Sequence, residues 1–249
     1  MHTLPFLEPL DAQHALFNPG PAHCWYSLPK DYEAILLFIP GNPGFADFYV
    51  PFFTSLMEHN PRLGVIARGH LGHSGHACSE HGLTAQVQSA IEMLDAIRAS
   101  TPVPIVLAGH SVGAWIALQV LKARSGSGIS QVQLLFPTIR HIADSPNGRR
   151  LSWLFRPPFP RIISWLSYLT RPLPISLLFS RWPASQTTVL RSLLNSPPAI
   201  YACLSMAHDE MKAICEMDAI VKDERVRILF GEHDDWVGAS NKSAITVDR

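Results

Sequence analysis

Residues 103–120 read VPIVLAGHSVGAWIALQV, and the rest of the fold can be placed around that stretch. Its first half is a short, continuous apolar run, the pattern of a strand buried on both faces. Its second half repeats apolar residues at helical spacing. Between the halves stands Gly109-His110-Ser111-Val112-Gly113, a G-x-S-x-G. Where a strand runs into such a motif and a helix leaves it, the pattern is that of a nucleophile elbow. The serine occupies a strained turn, and its flanking positions must be small because the strand and helix backbones approach there. The turn lifts the hydroxyl above the strand end and aims a helix N-terminus at it, where negative charge is stabilised. Ser111 is therefore the candidate nucleophile. An ordinary glycine-rich turn is the competing reading of the same residues.

Strand and helix signals alternate on either side. AILLFIP, from Ala34 to Pro40, reads as a buried strand ending in a Pro-Gly turn, FYVPFFTSLMEHN as a helix and LGVIARG as a second strand. GLTAQVQSAIEMLDAIRAS places Leu83, Val87, Ile91, Leu94 and Ile97 on one helical face, with Thr84 as its expected cap. VQLLFPTI then reads as a strand, MAHDEMKAICEMDAIV as a helix and RVRILFG as a last strand. Such alternation predicts an α/β protein with a mainly parallel sheet covered by helices on both faces.

An acyl-transfer site needs donors for an oxyanion as well as a nucleophile. The N–H of Val112, just after Ser111, supplies one. The other is expected from the loop PGNPG, Pro40 to Gly44, where Pro43 has no N–H; Asn42 is the favoured donor and Gly44 the reserve. A plain turn is the alternative reading of that loop. In RILFGEHDDWVG the expected acid is Asp234, with Asp235 as runner-up, and a solvated acidic loop is the alternative. The fifteen residues after Asp234 contain no histidine to complete the chain order Ser, Asp, His. Among the histidines that precede it, His110 adjoins Ser111 and is expected to point elsewhere, His233 adjoins Asp234, and His70, His73 and His76 come from one loop. His208 could swing in as base, and His70, His73 and His76 could instead line the cleft from their loop; the base is left open. The one-loop histidine cluster lacks converging carboxylates, so no metal centre and no cofactor are expected.

Composition sets the remaining bounds. The chain has 249 residues, 47% of them hydrophobic, with twenty basic and twenty acidic side chains. That is enough for one sizeable core and carries no net charge toward nucleic acid. The cysteines Cys24, Cys78, Cys203 and Cys215 are scattered, which fits neither a disulfide framework nor a zinc site. No apolar run approaches the ~20 residues of a spanning helix, and the N-terminus lacks the pattern of a signal peptide. These features suit a soluble intracellular protein.

One stretch stands apart. Between Asp144 and Asp209 there is no acidic residue, while Arg149, Arg150, Arg156, Arg161, Arg171, Arg181 and Arg191 interleave with Trp, Phe and Tyr among several prolines. Residues 139–205 are therefore expected to form a lid inserted into a core made of residues 1–138 and 206–249. Short amphipathic segments of this composition suit a lipid interface, with guanidinium groups at the phosphates and aromatic side chains below the headgroups. A cap packed over the site is the alternative, and the arginines are too embedded in apolar sequence to suggest nucleic acid.

The stretches FIPGNPGFADFYVPF, GHSVGAW, LLFPTI followed by SPNG, and FGEHDDW occur in an order that resembles the lipid droplet-associated hydrolases of the α/β-hydrolase superfamily. The resemblance spans roughly residues 34 to 236. It implies an α/β-hydrolase fold, Ser111 as nucleophile, Asp234 as triad acid, and hydrolysis of lipid esters at lipid droplets or endoplasmic reticulum, with cytoplasm as the alternative location. It also implies a last strand, a histidine-bearing loop and a final helix where this sequence has GASNKSAITVDR. By that measure the chain is cut short and lacks its triad histidine, and RVRILF is left as an exposed apolar edge. The expected function is thus a serine hydrolase of lipid esters. A catalytically inactive fold that binds droplets or membranes through the lid is the alternative. An acyltransferase, thioesterase or C–C hydrolase on the same fold is a third; serine at the elbow disfavours epoxide and haloalkane chemistry.

Overall fold

The apolar runs assemble into an eight-stranded sheet of order β1-β2-β3-β5-β4-β6-β7-β8. The computed structural model describes residues 4–18, 20–74 and 82–248; His76 and Cys78 lie outside them. The parallel core contains β4 (Ala34–Ile39), β5 (Leu63–Arg68), β6 (Ile105–His110), β7 (Ile129–Leu135) and β8 (Val226–Leu229). Antiparallel strands β1 (Leu7–Pro9), β2 (His14–Phe17) and β3 (His23–Ser27) continue it beyond β5. Those three were not legible as strands in the sequence, because each is short and mixes polar with apolar residues.

Helix α1 (Val50–His59) crosses from β4 to β5. Its Phe53 packs with Trp25, Leu36, Phe38, Val65 and Ala67 on one face of the sheet. Helices α2 (Leu83–Ser100) and α3 (Val112–Ala123) cover the other face, where Ile35, Leu37, Ile39 and Leu107 meet Leu94, Ile97, Ile116 and Leu121. The expected apolar stripe of α2 is buried at Leu83, Ile91, Leu94 and Ile97, with Val87 partly so. The cap differs: Gly82 holds the N-cap position without a side-chain bond, and Thr84 sits exposed inside the first turn.

This order positions a crevice. From β4 the chain crosses to β5 on one side, and from β6 it crosses to β7 on the other, while β4 and β6 pair directly. Ile39 lies opposite Gly109, so the loops that leave the two strands start side by side. A topological switch point of this kind leaves space outside the carboxyl ends of the strands, where α/β proteins bind ligands.

Between β7 and β8 the chain forms α4 (Pro146–Leu151), α5 (Phe159–Leu166), α6 (Ile175–Leu178), α7 (Ala184–Leu194) and α8 (Pro197–Ala213). Prolines in the first turns of α4, α5 and α8 start those helices, where a missing N–H costs nothing. Ser145 and Ser196 cap α4 and α8 by accepting from the N–H groups of Gly148 and Ala199. Helix α8 runs through the expected 205/206 boundary. Strand β8 pairs with β7 and ends the sheet, and Leu229 on it is half exposed. The segment after it is α9 (Ala239–Asp248), pinned by buried Ile245 and by Lys242 Nζ donating to the Gly231 carbonyl.

Candidate active site

Ser111 sits between β6 and α3 with φ 54° and ψ −121°, a backbone conformation that a non-glycine residue rarely adopts. Its neighbours explain how the turn closes. A Cβ on Gly109 would collide with the Gly113 backbone, and a Cβ on Gly113 would collide with the carbonyls of Ile39 and Pro40. Strand, helix and the end of β4 therefore meet with no side chain between them. The N–H groups of Val112 and Gly113 fall in the first turn of α3, where the helix itself offers no acceptor.

The Pro40–Gly44 loop lies against this turn. A Cβ on Gly41 would come within 3.1 Å of Ser111 Cβ and 2.8 Å of His110 Nδ1. Most of the loop's donors are engaged: Gly41 N–H donates to Tyr49 Oη at 3.0 Å, Gly44 N–H to His73 Nδ1 at 2.9 Å, and Phe45 N–H to the Pro43 carbonyl. Gly44, the reserve donor, is thereby spoken for. The Asn42 N–H has no acceptor among the described residues. Its side chain is fixed instead, since Asn42 Nδ2 donates to the Cys203 carbonyl at 2.8 Å and to Glu210 Oε1 at 2.9 Å.

Behind the loop, His70 and His73 are buried. Burial above all holds both imidazoles below their usual value; His73 and then Arg68 add to the fall of His70, and Arg68 to that of His73, which lies at about 3. Both are neutral at physiological pH, and His73 serves as the acceptor that fixes Gly44. His70 and His73, weighed with His76 as a metal loop, thus form the back wall of the Pro40–Gly44 turn; His76 lies outside the described residues.

Above Ser111 opens a cavity of about 840 Å³ lined by Asn42, Tyr49, His110, Ile163, Leu166, Leu190, Ile200, Glu210 and Trp236, among others. Its walls are mostly apolar and come from α5, α7 and α8. His110, expected to point elsewhere, lines this cavity; its Nδ1 lies 2.9 Å from Tyr49 Oη, and its ring packs edge-on to Phe136. Burial lowers its pKa while the charge of Asp234 opposes the shift.

Asp234 is partly buried and Asp235 is exposed. Asp234 Oδ1 accepts from the N–H groups of Trp236 at 2.9 Å and Val237 at 3.2 Å, which shapes the loop that carries Trp236 to the cavity wall. Among the described residues no histidine hydrogen-bonds to the Ser111 hydroxyl or to the Asp234 carboxylate. His208 does not line the cavity above Ser111; it faces a separate cavity of about 390 Å³ with Arg161, Tyr201 and Asp209. The residue that sequence reasoning missed is Glu210. It is buried on the cavity wall with its carboxyl pushed up to about 8, by burial above all, with Asn42's hydrogen bond opposing and Asp209 adding to the rise. Nothing in the spacing of α8 marks it, because its partner Asn42 comes from a distant part of the chain.

Residues 32–249 match the model of the family described as lipid-droplet associated hydrolase. This chain belongs to that family. The lipid droplet-associated hydrolase of Gallus gallus is 29% identical over 90% of this chain and 78% of its own length. That of Homo sapiens is 34% identical over 48% of this chain and 42% of its own length. Among solved structures, a 2-hydroxy-6-oxo-6-phenylhexa-2,4-dienoate hydrolase from a Rhodococcus species superposes with a TM-score of 0.62 at 15% identity, covering 97% of this chain and 85% of that one. The shared architecture is the α/β-hydrolase fold. Family and fold together make this lipid-droplet associated family member a hydrolase. Among the described residues no helix is long and apolar enough to cross a membrane.

Proposed function

We propose that this chain is a serine hydrolase that cleaves carboxylic esters of lipids. The observation that carries the reading is Ser111, held in a strained strand-to-helix turn at the floor of a mostly apolar cavity. Its Oγ attacks the ester carbonyl carbon and its proton passes to a base. The carbonyl oxygen becomes an oxyanion received by the N–H groups of Val112 and Asn42. Collapse of that intermediate releases the alcohol and leaves an acyl-serine, which water hydrolyses to the acid. Asp234 is the acid of the site, and its charge already reaches His110. The cavity's size and aliphatic walls suit a single acyl or sterol moiety, and the family's droplet association agrees with such a substrate.

The test is labelling of the purified protein with a fluorophosphonate. The expected result is one adduct, lost in Ser111→Ala. Equal labelling of both proteins sinks the reading.

A second role, at the lipid surface, has its own observation. Trp165, Leu169 and Leu177 on and around α5 and α6 are 75%, 70% and 74% exposed, and the Arg171 guanidinium stacks 4.4 Å from the Tyr168 ring beside them. Aromatic and aliphatic side chains set among arginines suit insertion below phosphate headgroups. Residues 139–205 would then act as a lid that binds droplets or membranes, and this function would persist in a chain with weak or no turnover. Transfer of the acyl group to an alcohol or cleavage of a thioester would use the same machinery and differ only in the acceptor or leaving group.

A further inference from the structure

The Pro40–Gly44 loop is gripped from two directions. On one side Gly44 is fixed by His73, and on the other Asn42 is fixed by α8. The second grip has an unusual geometry. Cys203 and Glu210 stand seven positions apart on α8, yet both reach the same Nδ2 atom. The Cys203 carbonyl points toward the helix C-terminus and the Glu210 side chain leans back toward the N-terminus, so the two converge on Asn42. Both donor hydrogens of that amide are thereby used.

We propose that Glu210 is a positioning residue for the acyl transfer proposed above: by holding Asn42 it clamps the oxyanion loop to α8 and keeps the Asn42 N–H aimed over Ser111. The inference rests on that reading of the site. The loop's closeness to Ser111 makes the clamp consequential, since even a Cβ on Gly41 would come within 3.1 Å of Ser111 Cβ, so a shift of Asn42 is felt at the oxyanion wall. Because α8 also carries Ile200 and Leu204 into the cavity, movement of this helix alters substrate wall and oxyanion donor together.

Glu210 Oε1 accepts from Asn42 Nδ2 in either protonation state. With its carboxyl pushed up to about 8, Glu210 is mostly protonated at physiological pH. Among the described residues the charge acting on it is Asp209, its neighbour on α8, whose own Oδ2 accepts from Leu83 N–H. The Cys203 thiol two turns back feels Glu210 in turn, and its own burial keeps it neutral. Above about pH 8 Glu210 ionises in an apolar wall. The bond from Asn42 Nδ2 then becomes charge-assisted, in keeping with its opposition to the raised pKa, so the clamp persists on the alkaline side.

Hydrolysis of p-nitrophenyl butyrate against pH tests this in the full chain, with Ser111→Ala as the blank. Glu210→Leu is expected to lower kcat about tenfold with KM nearly constant, the pattern of a misplaced transition-state donor. Glu210→Gln, whose amide oxygen can accept from Asn42 Nδ2 in the same place, is expected to restore most of that loss. Full kcat in Glu210→Leu, or a Glu210→Gln as slow as Glu210→Leu, overturns the proposal. Two readouts are independent of turnover. Infrared difference spectra, wild type minus Glu210→Gln, should show a protonated carboxyl that titrates away near pH 8. Amide exchange across residues 41–49 should quicken in Glu210→Leu and stay slow in Glu210→Gln; equal exchange in all three overturns the clamp. If wild type cleaves the ester no faster than Ser111→Ala, the serine-hydrolase reading fails, and these two measurements still decide the role of Glu210.

Discussion

The floor of the cavity and its lid are built by opposite rules. At the floor, three backbones touch through Gly109 and Gly113, β4 and β6 beneath are mostly buried, and among the described residues each donor of the Pro40–Gly44 loop but one has an acceptor. In the lid, short helices broken by proline leave Trp165, Leu169 and Leu177 largely in solvent. A floor of that kind holds atoms within the tolerance that acyl transfer requires. The segment between β7 and β8 instead turns large apolar side chains outward. Under the proposed function, precision and contact with a soft, variable surface fall to different parts of one chain.

The sharpest way to break the comparison is at the floor. Ser111→Ala is expected to reduce ester hydrolysis by about a thousandfold or more while leaving the melting temperature within a few degrees. Residual hydrolysis near the wild-type level would place the chemistry elsewhere. Next comes the packing beneath. Phe53 is fully buried between Trp25 and Phe38, so Phe53→Ala should cost about 3–5 kcal/mol in urea unfolding. Trp165→Ala should cost within about 0.5 kcal/mol, as surface changes do, yet weaken binding to vesicles of phosphatidylcholine containing triacylglycerol. If the two substitutions cost the same stability, the lid is part of the core and the contrast fails.

How much of this was legible follows the same division. The apolar runs that became β4 and β6, and the glycines that closed the elbow, announce themselves because continuous burial and close backbone approach restrict residue type. Asp234 over Asp235 was read from loop position, and the structure leaves the first partly buried and the second exposed. The N-terminal strands escaped notice, since antiparallel pairing at a sheet edge tolerates His14, His23 and Ser27. Glu210 escaped because its meaning lies in Asn42, and no local pattern records a contact made across the fold. The cap of α2 went to Gly82, and the next N–H, of Leu83, donates to Asp209 Oδ2 on α8, a contact across the fold that no local pattern around Thr84 records.

The smallest expected effect lies at the far edge of the sheet and is one of pH. His14 Nε2 pairs with Asp47 Oδ1 at 2.8 Å and its Nδ1 with Asp11, tying β2 to the turn that precedes α1. Burial pulls the imidazole down, but the two carboxylates together raise it above its usual value of 6.5. A raised folded-state pKa contributes stability that is full below the unfolded value and is lost as pH climbs through the folded one. A modest fall in melting temperature from about pH 6.5 upward is therefore expected, and it should shrink in Asp47→Asn. An identical slope in both proteins would show that the tie carries no weight.

The bare-backbone junction at Gly109 and Gly113 also determines how this protein can change. Any substitution there must move three chain segments at once, so the floor offers no gradual route to a new substrate. The opposite holds for Ile163, Leu166, Leu190 and Ile200, which reach the cavity from three helices, α5, α7 and α8. A library aimed at new esters belongs on those four positions. It would reshape the chamber without rebuilding the machine below it.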